Sequence, residues 1–226
     1  MPKAVVSWSS GKDSAWALHE IRRAGDIEVV GLLTTVTSEF ARVSMHAVRD
    51  ELLDLQAISL GLPCRKVRIP WPCPNERYEA EMAHAISDLR AAGVTRIVFG
   101  DLFLADIRAY REEKLLGSGV EPVFPLWGRD TTRLAREMLD GGLRATLTCV
   151  DPRQLDGAFA GRDFDAALLA ELPAGVDPCG ERGEFHTFAW AGPMFERPVP
   201  VTRGEVVTRE GFVFADLTRA CSPARS

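Results

Sequence analysis

The sequence predicts an α/β fold: a doubly wound parallel sheet with a smaller C-terminal α+β domain. Three observations carry this. Short apolar runs alternate with helix-patterned stretches through the first half of the chain. A Ser/Gly-rich turn joins the first run to the first helix. After about residue 126 the alternation gives way to a mixed order.

The elements follow in chain order. Ala4-Val5-Val6-Ser7 reads as a short buried strand, and 13–24 as a helix with Ala15, Leu18 and Ile21 on successive turns. Residues 28–36 form a β-rich run. A long helix is expected over 44–60, carried by Val48, Leu52, Leu55 and Leu60 and stopped by Gly61. Residues 64–69 read as a strand ended by Pro70, 75–92 as a helix closed by Gly93, and 96–99 as a strand ending at Gly100-Asp101. Beyond these come a helix over 130–139, a strand over 143–150, a short helix over 164–172 and a strand over 185–191. Residues 205–217 read as a hairpin turning at Arg209-Glu210-Gly211. The expected division is a first domain over 1–126, a second, smaller domain over 127–217 and a fraying tail over 218–226.

The composition sets the class. The 226 residues are 46% hydrophobic and 26% charged, with a net charge of -5, as expected of a globular chain. That balance offers nucleic acid or an anionic membrane no general attraction. The cysteines Cys64, Cys73, Cys149, Cys179 and Cys221 are odd in number and show no CxxC spacing. Reduced thiols and a cytoplasmic setting are therefore expected. No run approaches the roughly 18–20 apolar residues that span a bilayer.

The strongest local feature is Ser9-Ser10-Gly11-Lys12-Asp13-Ser14, between the first strand and the first helix. A loop at the carboxyl end of a parallel strand opens into the crevice where such sheets bind ligands. Small residues let backbone amides approach phosphate oxygens, and the helix points its positive end at the same place. The serines add hydroxyl donors, and Lys12 reads as a mobile positive charge. This is no GxxxxGK[ST] loop, because Asp13 follows Lys12. Asp13 suits a magnesium ion or a helix cap. On local physics alone, a Ser-rich turn with Asp13 as an ordinary cap stays open.

The second feature is Pro178-Cys179-Gly180-Glu181-Arg182-Gly183-Glu184-Phe185-His186-Thr187. It packs carboxylates, an imidazole and a hydroxyl between glycines that let a loop turn around a ligand. Glu181 and Glu184 suit an ammonium ion or proton transfer, and His186 suits acid–base work near neutral pH. Thr187 suits orienting a phosphate or a carbonyl. Alone, the stretch is equally a polar loop leading into a strand.

The first motif resembles the PP-loop, S-G-G-x-D-S, of the ATP pyrophosphatase superfamily, with Ser10 in place of its first glycine. A requirement for positive φ there would strain Ser10. The second resembles the G-E-x-G-E-[FY]-H-T signature of the diphthine–ammonia ligase family. Arg42-Val43-Ser44-Met45-His46, Gln56-Ala57, Gly61-Leu62-Pro63, Tyr78-Glu79, Gly100-Asp101 and Pro125-Leu126-Trp127 extend the resemblance over nearly the whole chain. It implies an adenine-nucleotide α-hydrolase-like, Rossmann-like sheet with a smaller C-terminal acceptor domain. It implies cleavage of ATP to AMP and pyrophosphate, adenylation of a carboxylate acceptor, and attack by ammonia. By the same resemblance Ser9, Ser10, Gly11, Lys12, Asp13, Ser14, Gly100 and Asp101 hold the nucleotide, and Asp13 or Asp101 places Mg2+. Glu181, Gly183, Glu184, His186, Thr187 and His46 face the acceptor. Lys12, Asp13, Glu181, Glu184 and His186 would then carry catalysis.

Lys3, Lys12, Lys66 and Lys114 are the only lysines among 27 basic residues, a bias of GC-rich bacterial coding. A bacterial relative would need an acceptor other than diphthine. The competing readings are a nucleotide sensor without chemistry and a hydrolase that passes AMP to water. Among weaker candidates, Asp106, Arg108, Arg111 and Glu112 flank Tyr110 on a helix or loop, and Trp8 adjoins the phosphate loop. His19 and His84 read as ordinary helix residues, and no cysteine reads as a nucleophile. A homodimer suits a chain of this size.

Overall fold

A computed structural model describes residues 1–37, 42–43 and 48–220. The expected parallel sheet is present. β1 (Lys3–Ser7) lies at its centre, paired in parallel with β2 (Glu28–Thr37) on one side and β5 (Val94–Val98) on the other. β4 (Cys64–Ile69) extends the sheet beyond β2, and β6 (Glu121–Val123) beyond β5. The five parallel strands therefore run β4-β2-β1-β5-β6. The chain winds one way from β1 through β4 and the other way from β5 onward. The crevice at the carboxyl ends of β1 and β5 is the switch point where such sheets bind ligands.

Side-chain alternation explains why both faces are covered. In β1, Ala4 and Val6 join the core with α1 (Lys12–Ala24) and α2 (Asp50–Leu60), while Val5 joins the opposite core. Leu32 and Leu33 divide in the same way, as do Val98 and Ile97. α3 (Asn75–Ala91) and α4 (Ala105–Leu115) contribute Ile86, Leu89 and Leu115 to the second core. Each such large side chain contributes about 1.5–3 kcal/mol by leaving water.

α5 (Thr131–Asp140) follows, capped by Asp130, whose carboxylate accepts from the Arg133 amide. An antiparallel sheet then runs β8 (Phe185–Ala191), β7 (Arg144–Val150), β10 (Phe212–Arg219), β9 (Val201–Arg209). α6 (Ala166–Glu171) lies between β7 and β8 in the chain. Leu147 and Phe188 share one core with Leu18 of α1, so α1 is packed between the two sheets. Among the described residues no helix is long and apolar enough to cross a membrane.

Several boundaries differ from expectation. The second helix begins at Asp50, because Arg49 has extended φ and ψ of -64 and 140. Arg42–Val43 is a short antiparallel strand, β3, on β2. β6 escaped sequence reading because it has 3 residues, one of them Pro122. Thr218 and Arg219 pair with Thr202 and Val201, so they belong to β10 rather than to a tail. The hairpin turns at Glu210 and Gly211, both with positive φ, as a tight two-residue turn requires.

Candidate active site

The phosphate-type loop leaves β1 at Trp8 and enters α1 at Lys12. Ser10 adopts φ 69, the left-handed region that its sequence position had put in question. Such a conformation costs a non-glycine residue about 1–2 kcal/mol. The Ser10 carbonyl is held from two sides, by the Ala189 amide at 2.9 Å and Gln56 Nε2 at 3.0 Å. Its hydroxyl is buried and makes no hydrogen bond among the described residues. Ser9 and Ser14 pair through their hydroxyls at 3.1 Å, and Ser14 donates to the Gly11 carbonyl.

Glycines are needed where backbones meet. A side chain at Gly100 would lie 2.8 Å from the Asp13 carbonyl carbon and 2.9 Å from the Ser14 amide. The bare end of β5 therefore admits the first turn of α1. A side chain at Gly180 would strike the Phe185 carbonyl at 2.8 Å.

Lys12 is no mobile charge. Its side chain is 2% exposed, with Nζ 2.8 and 3.0 Å from the two Asp13 oxygens. Nζ also donates to the Cys179 carbonyl and lies 5.5 Å from the Phe185 ring centre. Burial is the largest influence and opposes the charge, but Asp13, Cys179 and Glu181 together outweigh it and hold the ammonium above its ordinary range. The Lys12 amide donates to Thr187 Oγ1 at 3.1 Å. The start of α1 is thus capped by a residue of β8, in another sheet.

The two signature carboxylates separate. Glu184 is 1% exposed, and its oxygens accept from the Asp177 and Arg182 amides, each at 2.9 Å. It braces the loop and does not line the cavity. Glu181 lines it, with Oε1 accepting from the Leu102 amide at 2.8 Å. Burial pushes the Glu181 carboxyl up to about 7, against the pull of that amide. His186 also lines the cavity, but burial and then Lys12 push it down to about 4. The expectation of an imidazole titrating near neutrality is therefore corrected; Glu181 occupies that range. Gly183 sits at φ 83, in the turn between the two glutamates. His46 lies outside the described residues. Burial pushes the Cys179 thiol up, consistent with no thiolate there.

These groups meet in a cavity of about 230 Å³, walled by Ser9, Gly11, Asp13, Asp101, Glu181 and Thr187 among others. A second cavity of about 530 Å³ shares Ser7, Ser9, Phe99 and Arg111 with it. That volume suits a small organic ligand. Thr34 in its wall is 4% exposed, and its hydroxyl has no partner among the described residues. A buried hydroxyl without a partner, on a residue of a cavity wall, fits a ligand that supplies the missing bond. Sequence reasoning missed Thr34 and Met82 as part of this wall, because they lie in ordinary strand and helix patterns.

The carboxylates expected to hold magnesium fit that task poorly as arranged. Asp13 is taken by Lys12, and Asp101 by Arg111 at 2.6 and 3.0 Å. Among the described residues no three His, Cys, Asp or Glu side chains converge as a metal site.

Comparison with known proteins shows the family. Residues 2–120 match the diphthamide synthase N-terminal domain, and residues 130–221 match the diphthamide synthase C-terminal domain. A diphthine–ammonia ligase of Danio rerio is 27% identical over 92% of this chain and 90% of its own length. That of Rattus norvegicus is 30% identical over 92% of this chain and 86% of its own length. That of Homo sapiens is 25% identical over 92% of this chain and 86% of its own length. The chain belongs to the diphthamide synthase family.

Proposed function

We propose that this member of the diphthamide synthase family is an ATP-dependent ligase that forms an amide from a carboxylate acceptor and ammonia. One observation carries the reading: the loop after β1 and the loop before β8 wall the same cavity and are bonded to each other through Lys12 and Thr187. Residues 1–126 would hold the nucleotide and residues 127–217 the acceptor.

The larger cavity takes the nucleoside, with Thr34 supplying the orphan hydroxyl. The smaller takes the phosphates, at the amide-rich start of α1. When bound, ATP activates the acceptor carboxylate by adenylation and releases pyrophosphate. The chain's own residues do the rest. Glu181, poised near neutrality, accepts the proton that ammonium must lose before nitrogen can attack. Neutral His186 and Thr187 orient the acceptor. Lys12 and Asp13 latch the acceptor loop to α1 through Cys179.

A sensor without chemistry has one observation in its favour. Lys12 and Arg111, cations in the cavity wall, are both tied to carboxylates. Product analysis separates the readings. With ATP, Mg2+, ammonium and a panel of carboxylates, AMP and pyrophosphate should appear only when an acceptor is present. AMP without an acceptor indicates a hydrolase, and binding without turnover a sensor. ADP as the product sinks cleavage between the α- and β-phosphates.

A further inference from the structure

Gln56 lies in α2, outside the walls of both cavities, and no part of the proposed reaction uses it. It is fully buried. Its Oε1 accepts from Trp8 Nε1 at 2.9 Å. Its Nε2 donates to the Ser10 carbonyl at 3.0 Å and to the Ala189 carbonyl at 2.6 Å. One amide group therefore holds the exit of β1, the left-handed residue of the loop, and β8.

We infer that Gln56 is the positioning residue that fixes the phosphate loop in its binding shape, and that it is what allows serine to stand at position 10. The physical case has three parts. Serine at φ 69 relaxes toward negative φ unless its peptide groups are held. The Ser10 side chain supplies no such hold, because its hydroxyl has no partner among the described residues. The hold comes through the Ser10 carbonyl, where Gln56 and the Ala189 amide converge. A buried amide with these partners has no freedom to turn over: the flipped group would aim oxygen at two carbonyls. The same Nε2 fixes the loop's distance from β8, which delivers Thr187 to the start of α1.

This inference rests on the reading of the loop as the ATP site, and its test keeps the two apart. ATP affinity and thermal midpoint are measured for the wild type, Gln56→Met, Ser10→Gly and the double variant. Wild-type protein that does not bind ATP overturns the functional reading together with this one. With wild-type binding in hand, Gln56→Met is expected to weaken ATP binding about tenfold, the affinity equivalent of one unsupported left-handed residue. The acceptor KM should move much less. Adding Ser10→Gly should restore ATP affinity to within about threefold, since glycine holds positive φ unaided. A control, Met138→Ala in the α5 core, should lower the midpoint without changing ATP affinity. Unchanged affinity in Gln56→Met overturns the inference. So does a folded double variant that stays as weak as Gln56→Met. If Gln56→Met alone does not fold, the double variant is compared with Ser10→Gly. Equal affinities support the inference, and a tenfold gap overturns it.

Discussion

The loop over residues 8–14 and the loop over residues 177–187 face one cavity, yet they commit their polar groups differently. The first has its charges and most of its donors already paired. Its ammonium and carboxylate pair at 2.8 Å, the Ser9 and Ser14 hydroxyls pair at 3.1 Å, and its helix-starting amide is already capped by Thr187. The second spends one carboxylate to present another. Glu184 draws in two amides of its own loop, and the resulting turn delivers Glu181 to the Leu102 amide and the cavity. Two glutamates three positions apart thus do unlike work. The difference is burial: a carboxylate shut in with backbone donors becomes structure, and one left at a wall stays available to a ligand.

Four variants break or sharpen that contrast, from the largest effect to the smallest. Lys12→Met removes the buried ammonium that pairs Asp13 and bonds the Cys179 carbonyl, and should cost about 3 kcal/mol in denaturant unfolding. A loss near zero would mean that the first loop is not held by its ion pair. Glu181→Gln keeps an oxygen for the Leu102 amide, so the fold should survive while turnover with ammonium falls about a hundredfold.

The pH profile adds the sign. An acid pushed up to about 7 is mostly protonated below that pH and ionised above it. Wild-type turnover should therefore rise through about pH 7, and the variant should lose that limb. Hydroxylamine, already neutral there, should depend less on Glu181. Equal losses with both nucleophiles would remove Glu181 as the base.

Glu184→Gln turns one acceptor into a donor against a backbone N–H and should cost about 2 kcal/mol of stability. Acceptor use should suffer while ATP affinity holds. Lost ATP affinity with normal acceptor use would reverse the assignment of the two loops. Ser10→Gly relieves the left-handed strain and removes an unbonded buried hydroxyl, for a gain of about 1 kcal/mol in thermal unfolding. A less stable variant would show that the Ser10 hydroxyl is bonded after all.

Much of the fold was legible because periodicity encodes which face is buried. The split of Ala4 and Val6 from Val5 follows from strand alternation alone. The helix start at Asp50 was not legible: Val48 continues the apolar spacing, and only the extended backbone at Arg49 ends it. The site was half legible. Both loops announce themselves by unusual composition, and the question about Ser10 arose from a missing glycine. Part of the wall of the larger cavity carried no such signal, because Thr34 and Met82 sit in ordinary strand and helix patterns.

By itself, then, the sequence determined the parallel sheet, the loops at its carboxyl ends and the kinds of residue they carry. Tertiary structure alone decided what those residues do. It gave Lys12 the carbonyl of Cys179, made Glu184 a brace and Glu181 a carboxylate of the cavity wall, lowered His186 out of the neutral range, and joined Gln56 to the loop. The reason is physical. Pattern along a chain fixes direction and face, which are local, whereas the work of a charge or an amide depends on the groups brought within about 3 Å of it. Here those groups come from distant parts of the sequence.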